Sequence, residues 1–407
     1  MGRPYKAVIL AGSLAAGGSE RAAARIGSGL AERGHDVAVV TLQEDRAYPC
    51  TCDVHCLGVS IPHAPQGRRL VKSVHAAYRL ARFCRVHGVD SVLAFGDICA
   101  FVQYLSCLLF LNKSRFIYCI RDNPWMNTTS VLMLRMVRFL CARAAKVVAV
   151  SEELAHMIRS NWRGIDPIAI PNGIDVREYR SAETDGATLA LLKDRRFTFI
   201  SIGSLTRQKN HAALIEAFAA MPDAVQRESK LWIVGEGVLR WDLERRIQDA
   251  HLDKSVRLVG WRDDTAALLR YSDCFVLSSL WEGMPNVVLE ALAAGLRVIA
   301  TDCRTGPREI LAPGLAFDSP LQSSLTCDRD VLIPVREDGK DSPMSAVVPL
   351  LSRAMCEAVA NRKSERSSCG PRSDRVDDTP ALHYPDETRL DARFQMDVVL
   401  NRWSWLL

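Results

Sequence analysis

The sequence predicts an α/β fold made of two doubly wound parallel sheets. Short β-branched runs alternate with longer amphipathic segments along most of the chain, as strands and crossover helices do in parallel sheets. The alternation breaks once, over the polar stretch Arg177 to Arg196, and restarts with the apolar run FTFISIG at Phe197–Gly203. The length, 407 residues, is more than one ordinary core supports.

In the first half, strands are expected at Lys6–Ala11, Asp36–Leu42, Ser91–Phe95, Arg115–Ile120, Lys146–Ser151 and Ile168–Pro171, with helical patterns such as Ser19–Arg33 and Gln66–Val86 between them. Ser151 before Glu152 and Glu153 has the form of a helix N-cap with an acidic first turn. In the second half, strands are expected at Leu231–Val234, Val256–Val259, Cys274–Leu277 and Arg297–Thr301. The domains are therefore placed at 1–172 and 197–361, joined by a linker at 173–196. Residues 362–389 are charged, carry Pro and Gly and show no periodicity, so a flexible insertion is expected there. Apolar spacing returns at Val398, Leu400, Trp403 and Leu406, giving a closing helix within 390–407. Two such sheets are expected to face a cleft lined by the carboxyl ends of their strands.

Composition narrows the class. Hydrophobic residues at 48% against 24% charged residues describe a globular protein. No secretory leader is visible, and the longest apolar run, Ile98–Leu111, is shorter than the ~20 residues of a membrane span. It reads as a buried core helix, and the protein is expected in the cytoplasm. The 13 cysteines form no CxxC pair and read as small core residues. The cluster Cys50, Cys52, His55 and Cys56 lacks the spacing of zinc sites, so no metal is expected. Charge is uneven: residues 1–172 carry 21 Lys+Arg against 12 Asp+Glu, while the remainder carries 31 against 35. An anionic partner for the first half follows, an anionic membrane or a lipid diphosphate. No nucleic-acid motif accompanies the charge. The segment Val131–Arg143 fits a membrane-docking helix and a buried helix with exposed arginines equally well.

Three motifs carry chemistry. The first, Ala11 to Glu20 with Gly17 and Gly18, leads from a strand into a helix, where backbone N–H groups can approach a diphosphate. It also fits a plain tight turn. It lacks the dinucleotide fingerprint, and strand two ends in Val40-Thr41-Leu42 without an acid, which disfavours a nicotinamide oxidoreductase. The second, Gly203-Ser204-Leu205-Thr206-Arg207-Gln208-Lys209-Asn210, sets two cations at a strand-to-helix turn, able to neutralise a departing diphosphate. The third is Glu282-Gly283-Met284-Pro285-Asn286-Val287-Val288-Leu289-Glu290, leading into a helix expected at Val287–Ala294. Each ionised carboxylate can accept two hydroxyls, which matches a diol on a sugar or ribose. The amides from Gly283 to Val287 lie between them at a helix N-terminus, which suits a diphosphate.

In this order the motifs resemble retaining glycosyltransferase family 4, which has the GT-B fold of two Rossmann-like domains. The runs SERAAARIGSGLAERGHDVAVVT, AKVVAVSEEL, IPNGID, LWIVGEG and VRLVGW, with Tyr271 through Ile310, extend the resemblance over residues 1 to 312. It implies a metal-independent transferase, without cofactor, that moves a sugar from a nucleotide donor with retention. UDP-sugars are the first expectation and GDP-mannose the second. By position it implies that Glu290 binds the ribose, Glu282 meets the donor sugar, Lys209 binds the diphosphate and Trp261 sits at the base. It implies that Gly17 and Gly18 close on the diphosphate, that 1–172 binds the acceptor, and that the terminal helix returns to that domain. Many members carry Arg where Ser204 stands, leaving Arg207 as the second cation, and a histidine where this chain reads Arg121-Asp122. Asp122 or Arg121 can take part there, and Asp122 is taken as the catalytic candidate. The expected acceptor is a glycan or lipid-linked saccharide of cell-surface polysaccharide synthesis, on the inner face of the membrane. A non-catalytic GT-B binding protein, a sugar-phosphate synthase and a nucleotide-sugar epimerase are the alternatives.

Overall fold

The computed structural model describes residues 5–15, 17–61, 66–127, 130–180, 194, 196–335, 344–368 and 390–407. The chain divides into two compact units, Met1–Gly173 with Ala392–Leu407, and Ile174–Asp391.

The first unit is a seven-stranded parallel sheet of β1 (Ala7–Ala11), β2 (Val37–Thr41), β3 (Asp53–Cys56), β4 (Ser91–Phe95), β5 (Arg115–Ile120), β6 (Lys146–Ala149) and β7 (Ile168–Ala169), in the order β3-β2-β1-β4-β5-β6-β7. β1, β2 and β4 are buried from end to end. Helices covering both faces of a parallel sheet make that possible, and it is why these strands read as unbroken apolar runs. The order reverses between β1 and β4, so the strand ends there open a crevice. Ser151 caps its helix as expected, its Oγ accepting from Leu154 N at 3.1 Å.

Helix Met396–Leu406 packs against helix Gly18–Glu32, with Leu400 seated on Gly29. Arg33 donates to Asp397 Oδ1 at 2.8 Å and to Asn401 Oδ1 at 2.7 Å. Trp403 is fully buried in the same core as Ile9, Leu30, Leu93 and Ile117. The last residues of the chain thereby complete the first sheet's core.

The second unit repeats the plan with β8 (Phe197–Ile202), β9 (Ser229–Val234), β10 (Val256–Gly260), β11 (Cys274–Leu277), β12 (Arg297–Thr301), β13 (Leu325–Cys327) and β14 (Asp330–Ile333). Their order is β10-β9-β8-β11-β12-β14-β13, with β13 and β14 paired antiparallel. Here the order reverses between β8 and β11.

Four expectations change. β3 lies inside the cysteine cluster, where Asp-Val-His-Cys has no periodicity and the strand is a half-exposed edge. The β13–β14 hairpin was not foreseen, because three- and four-residue strands leave too short a signal. The apolar run Ile98–Leu111 folds as helix Asp97–Phe110 but is not buried throughout, since Leu108, Leu109 and Leu111 are exposed. Among the described residues no helix is long and apolar enough to cross a membrane. Finally, helix Met344–Ser368 continues past residue 361, so the expected insertion begins inside a helix. Arg362 anchors it, donating to Asp273 Oδ2 at 2.9 Å with its guanidinium 5.4 Å from the Phe197 ring. Most of the expected linker (181–193 and 195) and of the insertion (369–389) lies outside the described residues.

Replacing Trp403 by Ala empties a large site in the first core. Such truncations cost about 3–5 kcal/mol. Urea unfolding of the full chain should show that loss, and an unchanged midpoint would contradict the packing.

Candidate functional site

In the second unit, two chain segments leave the sheet side by side at the β8/β11 reversal. After β8 the chain turns through Gly203–Thr206 into a single 3-10 turn, Arg207–Lys209, and enters helix His211–Ala219 through Asn210 in the left-handed conformation (φ 51°). After β11 it runs through Ser278 and Ser279 to Glu282, then into helix Asn286–Ala293.

Hydrogen bonds sew these segments together. Leu280 N donates to Gln208 O at 2.8 Å, Gln208 Nε2 to Trp281 O at 2.9 Å, and Ser278 Oγ to Lys209 O at 2.8 Å. At the centre Lys209 Nζ donates to Glu282 Oε1 at 2.6 Å, with the two side chains only 16% and 6% exposed. Ser279 Oγ donates to the same carboxylate oxygen at 2.6 Å. A third loop, after β12, completes the frame. Thr305 Oγ1 donates to Glu282 O, and Glu282 N donates to Arg304 O at 3.3 Å.

Thr305 adopts φ 66°, a conformation that costs a β-branched residue energy and persists only where its surroundings impose it. Gly306 (φ 102°) follows, and a Cβ there would lie 2.4 Å from Pro285 Cδ. Only glycine lets this loop close on Met284-Pro285, just before the helix that carries Glu290.

Of the expected donor residues, the structure brings Lys209 and Glu282 into contact and buries Glu282, Gly283, Met284, Pro285 and Asn286. Val287 is half-buried in the first turn of the helix, which begins one residue earlier than expected. Glu290, 1% exposed, lies one turn further on. Arg207 and Ser204 are exposed, with Ser204 Oγ 3.4 Å from Thr206 Oγ1. Trp261, 47% exposed, follows Gly260 at the end of β10, whose carbonyl accepts from Gly235 N at 2.8 Å. Reading the sequence did not single out Ser279, Gln208 or Thr305. A lone hydroxyl or amide in a loop gives no spacing signal.

In the first unit the loop after β1 is braced from outside. Leu14 N donates to Asp45 O, Ala47 N and Tyr48 N donate to Leu14 O, and Gly17 N lies 3.3 Å from the Tyr48 hydroxyl. Gly17 and Gly18 are exposed where helix Gly18–Glu32 begins. Glu20, in the first turn, has its carboxyl pushed up by burial and by Asp122, against the pull of a backbone hydrogen bond and of Arg121. Its position at the end of the first glycine motif gives it no role in the sequence pattern.

At the end of β5 the two adjacent candidates separate. Asp122 is exposed, whereas Arg121 is buried with its guanidinium 4.8 Å from the Phe95 ring. Arg121 Nη2 donates to Asn172 Oδ1, while Nε and Nη1 have no hydrogen-bond partner among the described residues. Burial lowers its pKa to about 10. A guanidinium this dry with two open donors is costly alone and suited to an oxygen-rich ligand.

The cysteine cluster holds its sulfurs by local contacts, with Cys50 Sγ 3.1 Å from Cys52 Sγ and Ser28 Oγ donating to Cys50 Sγ at 3.4 Å. Among the described residues no group of three or more His, Cys, Asp or Glu side chains is arranged to hold a metal.

His211, beside Lys209, is buried, and its pKa is driven from 6.5 to about 3 by burial first and Lys209 second. A base held neutral when folded binds more protons unfolded, so stability falls as pH drops from 6.5 toward 3. The slope approaches about 1.4 kcal/mol per pH unit. His211→Gln should flatten the acid side of the unfolding profile, and an unaltered profile would show that His211 does not set it.

Comparison with known proteins matches these elements. The family model Glycosyltransferase Family 4 matches residues 16–178, and Glycosyl transferases group 1 matches residues 190–320. An uncharacterised glycosyltransferase of Methanocaldococcus jannaschii is 31% identical over 259 residues, which are 60% of this chain and 63% of that protein, so the chain spans less than two thirds of this relative. The N-acetylgalactosamine-N,N'-diacetylbacillosaminyl-diphospho-undecaprenol 4-alpha-N-acetylgalactosaminyltransferase of Campylobacter jejuni is 27% identical, covering 73% of this chain and 81% of that one. HepE of Anabaena, crystallised with UDP and glucose, superposes with a TM-score of 0.68 at 17% identity over 99% of both chains, a likeness of fold. Both halves of the chain thus match glycosyltransferase family models, and the chain has the GT-B fold.

Proposed function

We propose that the chain is a retaining, metal-independent hexosyltransferase that uses a UDP-sugar and extends a glycan or lipid-linked saccharide in cell-surface polysaccharide synthesis. The observation that carries this reading is the Lys209–Glu282 contact at the β8/β11 reversal, in the loop that leads into the helix Asn286–Ala293 carrying buried Glu290. A diphosphate arriving beside Lys209 offers its ammonium a stronger partner than Glu282 does, because two negative oxygens replace one. Glu282, still held by Ser279, then has a carboxylate oxygen available to a donor-sugar hydroxyl.

The chemical difficulty is departure of an anionic diphosphate while positive charge builds on the anomeric carbon. Lys209, exposed Arg207 and the amides from Gly283 to Val287 supply positive potential where the leaving charge develops. Ser204 adds a hydroxyl donor at the turn. Glu290 pairs with the ribose diol, and Trp261 supplies a surface for the base. In the first unit, considered by itself, exposed Gly17 and Gly18 offer backbone amides suited to a phosphate, and exposed Asp122 and buried Arg121 are the polar candidates for the acceptor. The anomeric C–O bond to phosphate breaks as the acceptor oxygen attacks from the same face, and the departing phosphate oxygen takes the acceptor's proton. That stereochemistry is proposed from the resemblance of the motifs to retaining glycosyltransferases. The lipid-linked acceptor is proposed by analogy with the Campylobacter relative, whose name specifies a diphospho-undecaprenol substrate.

Lys209→Ala and Glu290→Ala should each weaken UDP binding about ten-fold or more by calorimetry, the loss expected for a charge-assisted hydrogen bond. Unchanged affinity in both would refute the donor site. Sugar transfer should also survive EDTA, and its loss with recovery on adding a divalent cation would overturn the metal-independent reading.

A further inference from the structure

Most of the described cysteines are buried, and burial holds their thiols up, as at Cys84, Cys99, Cys119 and Cys274. Cys50 and Cys52 differ. The chain bends through Cys50-Thr51-Cys52 just before the edge strand β3, and the two sulfurs lie 3.1 Å apart. A disulfide bond is ~2.0 Å long, so closing one takes a sulfur movement of about 1 Å.

The surroundings of the two sulfurs are unequal. Cys50 is half-buried and Cys52 is buried. Donors converge on Cys50 Sγ: Ser28 Oγ donates to it at 3.4 Å, and the Cys52 thiol can donate across the short gap. Arg46 Nη2 donates to the Cys50 carbonyl at 3.3 Å, which keeps its charge close by. The hydrogen bond from Cys52 comes first, burial opposes it, and Ser28 and Arg46 add to it, so the Cys50 thiol lies below its ordinary range. The same contact first, and burial second, hold Cys52 up. A reachable sulfur with thiolate character beside a second thiol is the arrangement of an attacking and a resolving cysteine.

Two other uses of the pair fit less well. A metal needs further ligands, and among the described residues no group of three or more His, Cys, Asp or Glu is arranged to hold one. Inert packing explains Cys52, which belongs to the first unit's core. It does not explain the polar contacts of Cys50 Sγ with Ser28 Oγ, with Ala24 O at 3.7 Å and with a second sulfur.

The pair also adjoins the loop after β1. Leu14 N donates to Asp45 O, and Ala47 N and Tyr48 N donate to Leu14 O, so the segment Asp45–Tyr48 braces that loop. Two residues further on, Cys50 Sγ ties the segment to helix Gly18–Glu32 through Ser28 and Ala24. A disulfide sulfur has no hydrogen to give Ala24 O and accepts only weakly from Ser28. Oxidation therefore undoes this tie.

We propose that Cys50 and Cys52 form a dithiol that hydrogen peroxide oxidises to a disulfide, and that the bond loosens the brace on the loop after β1. The Cys50 thiolate attacks one peroxide oxygen and the O–O bond breaks. The second oxygen leaves as hydroxide and takes up the proton that Cys50 gave up, forming water, while Cys50 becomes a sulfenic acid. Cys52 then attacks the Cys50 sulfur, the S–O bond breaks, and the departing hydroxide takes the Cys52 proton as a second water. The two thiols lose two electrons in all, and the peroxide gains them. The inference stands on the first unit alone and does not depend on the donor reading.

The test treats the full chain with hydrogen peroxide and maps its thiols by alkylation and mass spectrometry. The wild type should lose two free thiols, with a bond mapped between Cys50 and Cys52 that dithiothreitol reverses. Cys52→Ser should stop at a Cys50 sulfenic acid, trapped by dimedone, and Cys50→Ser should leave Cys52 reduced. Amide hydrogen exchange at Leu14, Ala47 and Tyr48 should quicken several-fold when the wild type is oxidised, and peroxide should not change it in Cys50→Ser. Thermal melts check that both variants fold, and exposed Cys56 serves as the internal control for peroxide. A pair that stays reduced while Cys56 oxidises, or a bond from either sulfur to another cysteine, would overturn the redox site. A Cys50–Cys52 bond that leaves exchange at those three amides unchanged would overturn its action on the loop.

Discussion

The second unit's chemistry depends on one ion pair, Lys209 with Glu282. It joins the 3-10 turn after β8 to the loop after β11, and both partners are largely withdrawn from water. Two charges removed from water must be matched closely or the desolvation cost dominates. Here Ser279 donates to the same carboxylate oxygen as Lys209, and hydrogen bonds from Gln208, Ser278 and Thr305 fix the backbones that present it. In the function proposed above such a pair serves binding more than stability. It holds a cation in position, and a ligand with a stronger negative charge can take it over.

The two strand reversals divide the polar groups differently. At β8/β11 the charges are paired and the backbone is tightly framed, with Thr305 in a strained conformation and Gly306 pressed against Pro285. In the first unit, Arg121 keeps two guanidinium nitrogens without hydrogen-bond partners among the described residues, near the carboxyl groups of Glu20 and Asp122. The first arrangement is the one proposed to receive a diphosphate. The second stores an unsatisfied donor, a cost that a substrate oxygen would remove.

Much of the fold was legible because parallel strands buried on both faces leave continuous apolar runs. β1, β2, β4, β5 and β8 were placed to within a residue or so. β3 and the β13–β14 hairpin were missed because short, half-exposed edge strands have neither apolar continuity nor clean alternation. In the site, the closeness of Lys209 and Glu282 was foreshadowed by family position, but local spacing could not show it, since 73 residues separate them. The hydroxyls that hold Glu282 left no trace in the sequence. At Arg121-Asp122 the sequence favoured the acid, and the burial of the arginine became visible only when β4 supplied Phe95 beneath it.

The most direct test of the account is a crystal structure of the chain with UDP bound. It predicts that Lys209 Nζ moves from Glu282 to a phosphate oxygen, that Glu290 takes the ribose hydroxyls, and that the diphosphate sits at the start of helix Asn286–Ala293. A diphosphate bound elsewhere, or one that leaves the Lys209–Glu282 pair intact, would contradict it.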